Sequence, residues 1–424
     1  MEFRRFLEQL EQRGALARVR RPVSAELELA AVVKKLKGRP VLFEAVAGHR
    51  LPVAANLCAS RSLLAEALGV APRDLALRLA DAVERPVEPE VVPAPAYQEV
   101  EDLRGLPVLR YHPRDGGPYI ASGVVVACDP EHGPNVSYHR AMVLGPDRLV
   151  LRVVERHLHA YIRRGLTRFA FCLGNPTTVM VAAAISAELG KSELAMANAL
   201  RPTPVSNVEG HLVPASEVIL LCELTGEVAD EGPFLDLTET FDVVRRQPVV
   251  RVTRVLARPG AVFHALLPGD LEHKTLMGLP REPTIFREVS RVCECLEVFL
   301  APGGCSWLHA VVRIRKRHGE DGRRAVEAAF RGHASLKHVF VVDEDIDVED
   351  PRDVEWAMAT RFQGDRGIVV RPGEKGSSLD PSSEPGTGAT CKVGFDLTAA
   401  PRSHGKDFRR PEPVMDINLD EYLG

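Results

Sequence analysis

The run "YIASGVVVACDPEHGPNVSYHRAMVLGPDRLVLRVV" (residues 119–154) decides the architecture. Its valine-rich pieces have strand length and are separated by "DPEHGP" and "GPD", which are turn sequences. This punctuation predicts antiparallel strands joined by short turns, a meander or a small barrel. Within "NVSYHR", strict alternation puts Asn135, Ser137 and His139 on one face and Arg140 on the other. A bulge could re-aim any of them, and a plain polar strand edge would carry the same letters.

Upstream, Phe3, Leu7 and Leu10 share one face of a predicted helix over 3–12. A second helix is expected over 24–36, a strand at "PVLFEAV" (40–46), and a helix at 60–70 capped by Ser60. Together they suggest an N-terminal α/β domain over residues 1–105, closed by the proline-rich, acidic linker at 88–103. The central domain, residues 106–285, holds the meander, a buried helix candidate at 176–190, and strands at 216–226 and 248–258. From about 286, "WLHAVVRIRK", "GRRAVEAAFRG", "KHVFVVDED" and "VEWAMATRF" alternate strand and helix, predicting a C-terminal α/β domain to 385. Residues 386–424 read as a Gly/Ser/Pro-rich tail ending in an acidic segment.

The chain has 424 residues, too many for one hydrophobic core, so several domains are expected. A net charge of −4 gives no bulk attraction for nucleic acid or an anionic membrane. Eight scattered cysteines without a CxxC, a first helix unlike a leader, and no apolar run of membrane-span length fit a reduced, cytoplasmic chain.

Several clusters carry possible chemistry. Glu231 and Asp236 flank Gly232-Pro233-Phe234, where proline excludes a helix and a turn can fold the two acids together. Converging carboxylates need a shared proton or a cation between them, whereas a solvated acidic loop needs neither. His157 and His159 lie two apart at a strand-to-helix change. "VSNVEGHLVPA" adds Asn207, Glu209 and His211, an oxygen-rich set better suited to Mn²⁺ or Mg²⁺ than to a softer metal. The Gly/Ser/Thr loop at 376–394 contains Lys392 and could cradle a phosphate. His273, Lys274 and Arg281 could bind an anionic substrate group or cap a surface turn. Trp307 and His309 fall on one strand, with Trp307 expected in the core.

These stretches, in this order, resemble the UbiD family of reversible, non-oxidative decarboxylases. The specific pieces are "NVSYHRAM", "EGPFLD", "LEHKTLMGLPREP", "VFVVDEDIDVEDPRDVEWAMATRF" and "GSSLDPS". The resemblance implies a central split β-barrel of the flavin-reductase type that binds prenylated FMN. A divalent metal, usually Mn²⁺, would hold the phosphate with K⁺ nearby, and a flavin prenyltransferase would supply the cofactor. It implies that Asn135, Ser137, Arg140, His157 and Lys392 bind cofactor, that Asn135 and His157 ligate the metal, and that Glu231, Arg140 and Asp236 form the catalytic triad. The family's metal-binding glutamate precedes a "VPA" segment by seven residues. That slot is Asn207 here, with Glu209 two further on, so either could complete the set. Asp236 would protonate the carbon that has lost CO₂.

The expected substrate is an α,β-unsaturated or aromatic acid: an anhydromevalonate phosphate, or a furan, pyrrole or hydroxybenzoate-type carboxylate. His273, Lys274 and His309 are the candidate substrate contacts, and a homodimer or higher homo-oligomer is expected, with dimer and cofactor contacts from the tail. Two rivals remain at this level: a non-catalytic flavin-binding scaffold, and a flavin-free metal hydrolase built on His157, His159 and Glu209.

Overall fold

The computed structural model describes residues 1–399 and Glu421. The part of the expected C-terminal tail beyond Ala399, including most of its proposed dimer contacts, lies outside the described residues.

The first helix runs Phe3–Gln12 and buries Phe3, Phe6, Leu7 and Leu10. Ser60 caps Arg61–Leu68 by accepting a hydrogen bond from Leu63 N, and Gly69 ends that helix in the left-handed region at φ 74°. Strands Ala17–Val19, Val41–Phe43 and Val53–Ala55 form the N-terminal sheet. Its fourth strand, Phe263–His264, comes from far along the chain and pairs parallel with Val53–Ala55. Residues near 263, expected in the central domain, thus tie back into the first.

The central sheet has nine strands. Its order is Tyr119–Ile120, Ala141–Val143, Arg148–Leu151, Arg245–Ala257, Val218–Glu231, Arg168–Leu173, Val124–Asp129 and Gly133–Tyr138, with Gln98–Val100 added on Arg245–Ala257. All its pairings are antiparallel. The short turns at "DPEHGP" and "GPD" make this possible, as the sequence predicts. Gln98–Val100 shows that the end of the presumed linker already belongs to this sheet.

Both faces of the sheet are covered. Phe169, Phe171 and Leu173 enter one core with Val125 and Leu220, while Ala170 and Cys172 enter another with Val124 and Ile219. Gly123 makes room for Phe171: a Cβ there would lie 1.9 Å from Phe171 Cζ. The helix expected at 176–190 forms only over Thr177–Ala182. A second helix, Glu193–Leu200, follows it, capped by Ser192, whose hydroxyl accepts from Ala195 N.

The C-terminal sheet runs Glu294–Leu300, His309–Arg315, His338–Val342, Ala389–Asp396 and Ile368–Lys375. Ala389–Asp396, placed in the tail by composition, is an interior strand parallel to His338–Val342. Among the described residues no helix is long and apolar enough to cross a membrane, and all eight cysteines are free.

Candidate active site

Arg140 follows the strand Gly133–Tyr138, and its guanidinium is met by three carboxylates. Nε donates to Glu231 Oε1 at 2.9 Å and Nη2 to Glu231 Oε2 at 3.0 Å. Nη2 also donates to Asp242 Oδ2 at 2.9 Å, and Nη1 donates to Asp236 in a short contact. The chain brings the acids together as expected. Glu231 ends the long strand Val218–Glu231, Gly232 turns it at φ 104°, and Phe234–Leu235 pairs with Phe241–Asp242 as a small hairpin. That hairpin presents Asp236 just past its first strand and Asp242 on its second; Asp242 carried no signal in the sequence reading.

The site is buried: the side chain of Arg140 is 9% exposed and that of Glu231 0%. Phe234 lies under the guanidinium, 4.5 Å from ring centroid to Cζ. Tyr119 Oη donates to Glu231 Oε1 at 3.1 Å, so Glu231 is fixed from both sides. Burial works against the charge of Arg140, but Glu231 and Asp236 outweigh it and hold the guanidinium above its ordinary value. Burial would raise Asp242, yet Arg245 and Arg140 hold it below the usual carboxylate range. Arg245 reaches Asp242 Oδ1 at 2.5 Å.

A polar chain leads from Arg140 to a second cluster. His139 is buried; its Nδ1 faces Arg152 O at 2.8 Å and its Nε2 faces Ser137 Oγ at 3.0 Å. Burial pushes His139 down to about 4, so near neutrality the ring donates to the carbonyl and accepts from Ser137. Ser137 Oγ also lies 3.3 Å from Asn135 Oδ1. Asn135 Nδ2 donates to both oxygens of Glu193 at 3.2 Å, and Val136 N donates to Glu193 Oε2 at 2.8 Å. Glu193 is 2% exposed, and burial raises its carboxyl to about 7. His157 opens the helix His157–Arg163, which packs against Val124–Asp129 and Gly133–Tyr138, the strand carrying Asn135.

The acid beside Asn135 is Glu193, which carried no signal in the sequence reading. The expected alternatives sit elsewhere for a local reason. Glu209 and Gly210 form the two-residue turn of an exposed hairpin, at φ 49° and 88°, and Glu209 pairs with Arg254. Asn207 closes the same turn by accepting from Gly210 N at 2.9 Å. Among the described residues no group of three or more His, Cys, Asp or Glu side chains is placed to hold a metal. The hydrolase cluster of His157, His159 and Glu209 is thereby lost. Asn135, His157 and Glu193 offer one amide oxygen, one imidazole and one carboxylate, a set suited to a hard divalent ion such as Mn²⁺ or Mg²⁺.

Cations gather beside this cluster. Arg156 precedes His157 and donates to Ser186 Oγ at 3.0 Å; Arg281 donates to the same oxygen at 2.6 Å. Arg281 Nε and His333 Nε2 are buried with no hydrogen-bond partner among the described residues. Burial, with Arg281, Lys392 and Arg156 nearby, drives His333 down to about 3. Burial also lowers Lys392, whose Nζ donates to Ala334 O at 2.6 Å. Buried cations with orphaned donors fit an anionic ligand such as a phosphate.

Of the remaining candidates, His273 accepts from Gly269 N at 3.1 Å; burial lowers its pKa, with opposing influences from Asp236 and Arg140. Lys274 donates to Glu239 at 2.6 Å. His309 instead pairs with His338 across the C-terminal sheet at 2.8 Å. Trp307 is buried as expected and donates to Ser377 Oγ at 3.0 Å.

Family profiles of the 3-octaprenyl-4-hydroxybenzoate carboxy-lyases match the whole described architecture: an N-terminal domain over 7–83, a Rift-related domain over 87–271 and a C-terminal domain over 274–397. The chain is 42% identical over 398 residues to anhydromevalonate phosphate decarboxylase of Methanocaldococcus jannaschii, covering 90% of this chain and 94% of that protein. It is also similar to the UbiD-class enzyme HmfF of Pelotomaculum thermopropionicum in complex with FMN, with a TM-score of 0.95, 35% identity, and coverage of 99% and 100%. An evolved dimeric form of HmfF in complex with prFMN gives 0.90 and 33%, with both chains covered at 100%. With its three domains matched in order and the Arg140 carboxylate cluster inside the central one, the chain belongs to the UbiD family of carboxy-lyases.

Proposed function

We propose that the protein decarboxylates a phosphorylated α,β-unsaturated acid, trans-anhydromevalonate 5-phosphate, using prenylated FMN held through a divalent ion. The observation that carries this reading is Arg140 with three acids in a buried site. The named activity of the M. jannaschii relative supports the substrate. Asn135, His157 and Glu193 would hold Mn²⁺, and Arg156, Arg281, Lys392 and His333 would surround the cofactor phosphate, with K⁺ adjacent. A flavin prenyltransferase would supply the cofactor.

Loss of CO₂ from an sp² carbon leaves an unstabilised carbanion, and prenylated FMN, when bound, supplies the electrophile that side chains lack. The chain's own residues supply position and protons. A guanidinium has five N–H donors. Three on Nε and Nη2 are taken by Glu231 and Asp242, and one on Nη1 by Asp236. The second Nη1 hydrogen remains to orient the substrate carboxylate. With the substrate carboxylate at Arg140, that group and Glu231, Asp236 and Asp242 face Arg140, Arg245 and nearby Arg152, one negative charge in excess, so one proton held among the acids balances it. Asp236, on the more open side at 16% exposure, delivers that proton to the carbon. Glu231, locked by Tyr119, holds Arg140 in place. The low exposure keeps water from competing for the carbanion.

The test is protein co-expressed with a flavin prenyltransferase. A changed visible spectrum, CO₂ release and isopentenyl phosphate as product are expected. Full activity in flavin-free protein would refute the reading, and cofactor binding without turnover would favour a scaffold.

A further inference from the structure

Exposure rises from 9% at the Arg140 side chain through 16% at Asp236 to 48% at Glu239, the last two on the acid-bearing hairpin. Glu239 thus marks the open side of the site. Its backbone sits at φ 59°, a region L-residues rarely occupy, and its N donates to Asp236 O at 2.9 Å. Its carboxylate bridges two lysines from different parts of the fold. Lys274 Nζ, on the helix Leu271–Gly278, is 2.6 Å from Oε1, and Lys34 Nζ, on Glu28–Lys35 of the N-terminal domain, is 3.3 Å from Oε2. The Lys274 side chain is 9% exposed, and its counter-charge is this more exposed glutamate.

A buried ammonium needs an anion. Glu239 provides one from a strained turn, three residues from the proposed proton donor. The other clustered cations, exposed Arg156, half-buried Arg281 and buried Lys392, gather around His333 on the His157 side. A phosphorylated substrate bound with a phosphorylated cofactor needs a separate pair of cations on the Asp236 side, and Lys34 and Lys274 are placed there.

We propose that Lys34 and Lys274 form the subsite for the substrate's terminal phosphate, and that Glu239 fills it as an internal counter-ion when no substrate is bound. This rests on the reading of the Arg140 site as a decarboxylase of a phosphorylated acid. A phosphate monoester carries more charge than a carboxylate and has three acceptor oxygens, so it displaces Glu239 from both lysines. Asp270 opposes it in part. Oδ1 lies 3.5 Å from Lys34, and Oδ2 is buried without a hydrogen-bond partner among the described residues. Lys274 therefore takes the larger share.

The experiment uses the prenylated-FMN holoenzyme, with the phosphorylated acid, its unphosphorylated counterpart, and isopentenyl phosphate as a product inhibitor. Lys274→Ala should raise KM for the phosphorylated acid and Ki for isopentenyl phosphate by about 10–100-fold, the range for a charged hydrogen bond. It should leave turnover of the unphosphorylated acid within about twofold, and Lys274→Arg should restore most of the loss. Lys34→Ala should act in the same direction but less strongly. Glu239→Gln should do the opposite and tighten isopentenyl phosphate, because the internal competitor is gone. If Glu239→Gln and Lys34→Ala both weaken phosphate binding, the three residues are a brace and the proposal is overturned, even if Lys274→Ala does not fold. A wild-type enzyme indifferent to isopentenyl phosphate and to substrate phosphorylation would instead overturn the substrate reading beneath it.

Discussion

Asp236→Asn tests the proton-donor role most directly, and the structure sets its size. Asp236 Oδ2 accepts from Arg140 Nη1, and Oδ1 accepts from Leu237 N at 2.6 Å. Asparagine has one acceptor and one donor group, so in either amide orientation one of these N–H groups faces an NH₂. That mismatch costs about 1–3 kcal/mol of stability. The loss is partly offset because one of three crowded carboxylates becomes neutral. Losing a positioned acid lowers a proton-transfer step by about 10²–10⁴-fold, or roughly 3–5 kcal/mol of barrier. The assay is single-turnover decarboxylation of the holoenzyme in D₂O, reading rate and deuterium in the product, with flavin and metal content measured on the same sample. A slow reaction with cofactor retained is expected. Fast, fully deuterated product from Asp236→Asn would show that another group delivers the proton.

Three further outcomes follow from contacts elsewhere. Glu193→Gln should lower metal and flavin content together, whereas Glu209→Gln should leave both unchanged; metal analysis and the visible spectrum of the purified variants decide this. His333 is held down to about 3 by burial, so flavin-free protein should lose roughly 1.4 kcal/mol of stability per pH unit below about 6.5, as the unfolded chain binds the proton the folded chain refuses. Urea unfolding at pH 7 and pH 5 should show a shallower loss in His333→Gln. Gly123→Ala sets a methyl against the Phe171 ring and should cost about 1–3 kcal/mol of stability, measured by the same unfolding method at pH 7.

Much of this was legible in the residues. Period-two runs and Gly-Pro turns mark the central sheet, and the spacing of Glu231 and Asp236 around Gly232-Pro233 announces their convergence. Glu193 was hidden because 176–190 reads as one long apolar helix and the spacing before "VPA" points to Asn207 and Glu209 instead. The signal was Ser192, a capping residue followed by the apolar "LAMANAL". Asp242 was invisible because its role depends on the hairpin pairing of Phe234 with Asp242, which no local pattern encodes. Lys392 looked like part of a tail because the Gly/Ser/Pro-rich stretch before it masks the strand Ala389–Asp396. Glu239 gave no sign, since its partners Lys34 and Lys274 come from two distant helices.

The interior position of that last strand has a bearing on biosynthesis. Ala389–Asp396 lies between His338–Val342 and Ile368–Lys375, so the C-terminal sheet is split until it arrives. It also carries Lys392, whose Nζ donates to Ala334 O beside His333, whereas Asn135 and Glu193 leave the ribosome far earlier. A nascent chain can complete its N-terminal and central sheets long before its C-terminal sheet can close. Closure of the C-terminal sheet is thereby scheduled as a late event, and a chain cut short before residue 389 would be left with an unpaired strand edge, a substrate for proteolysis.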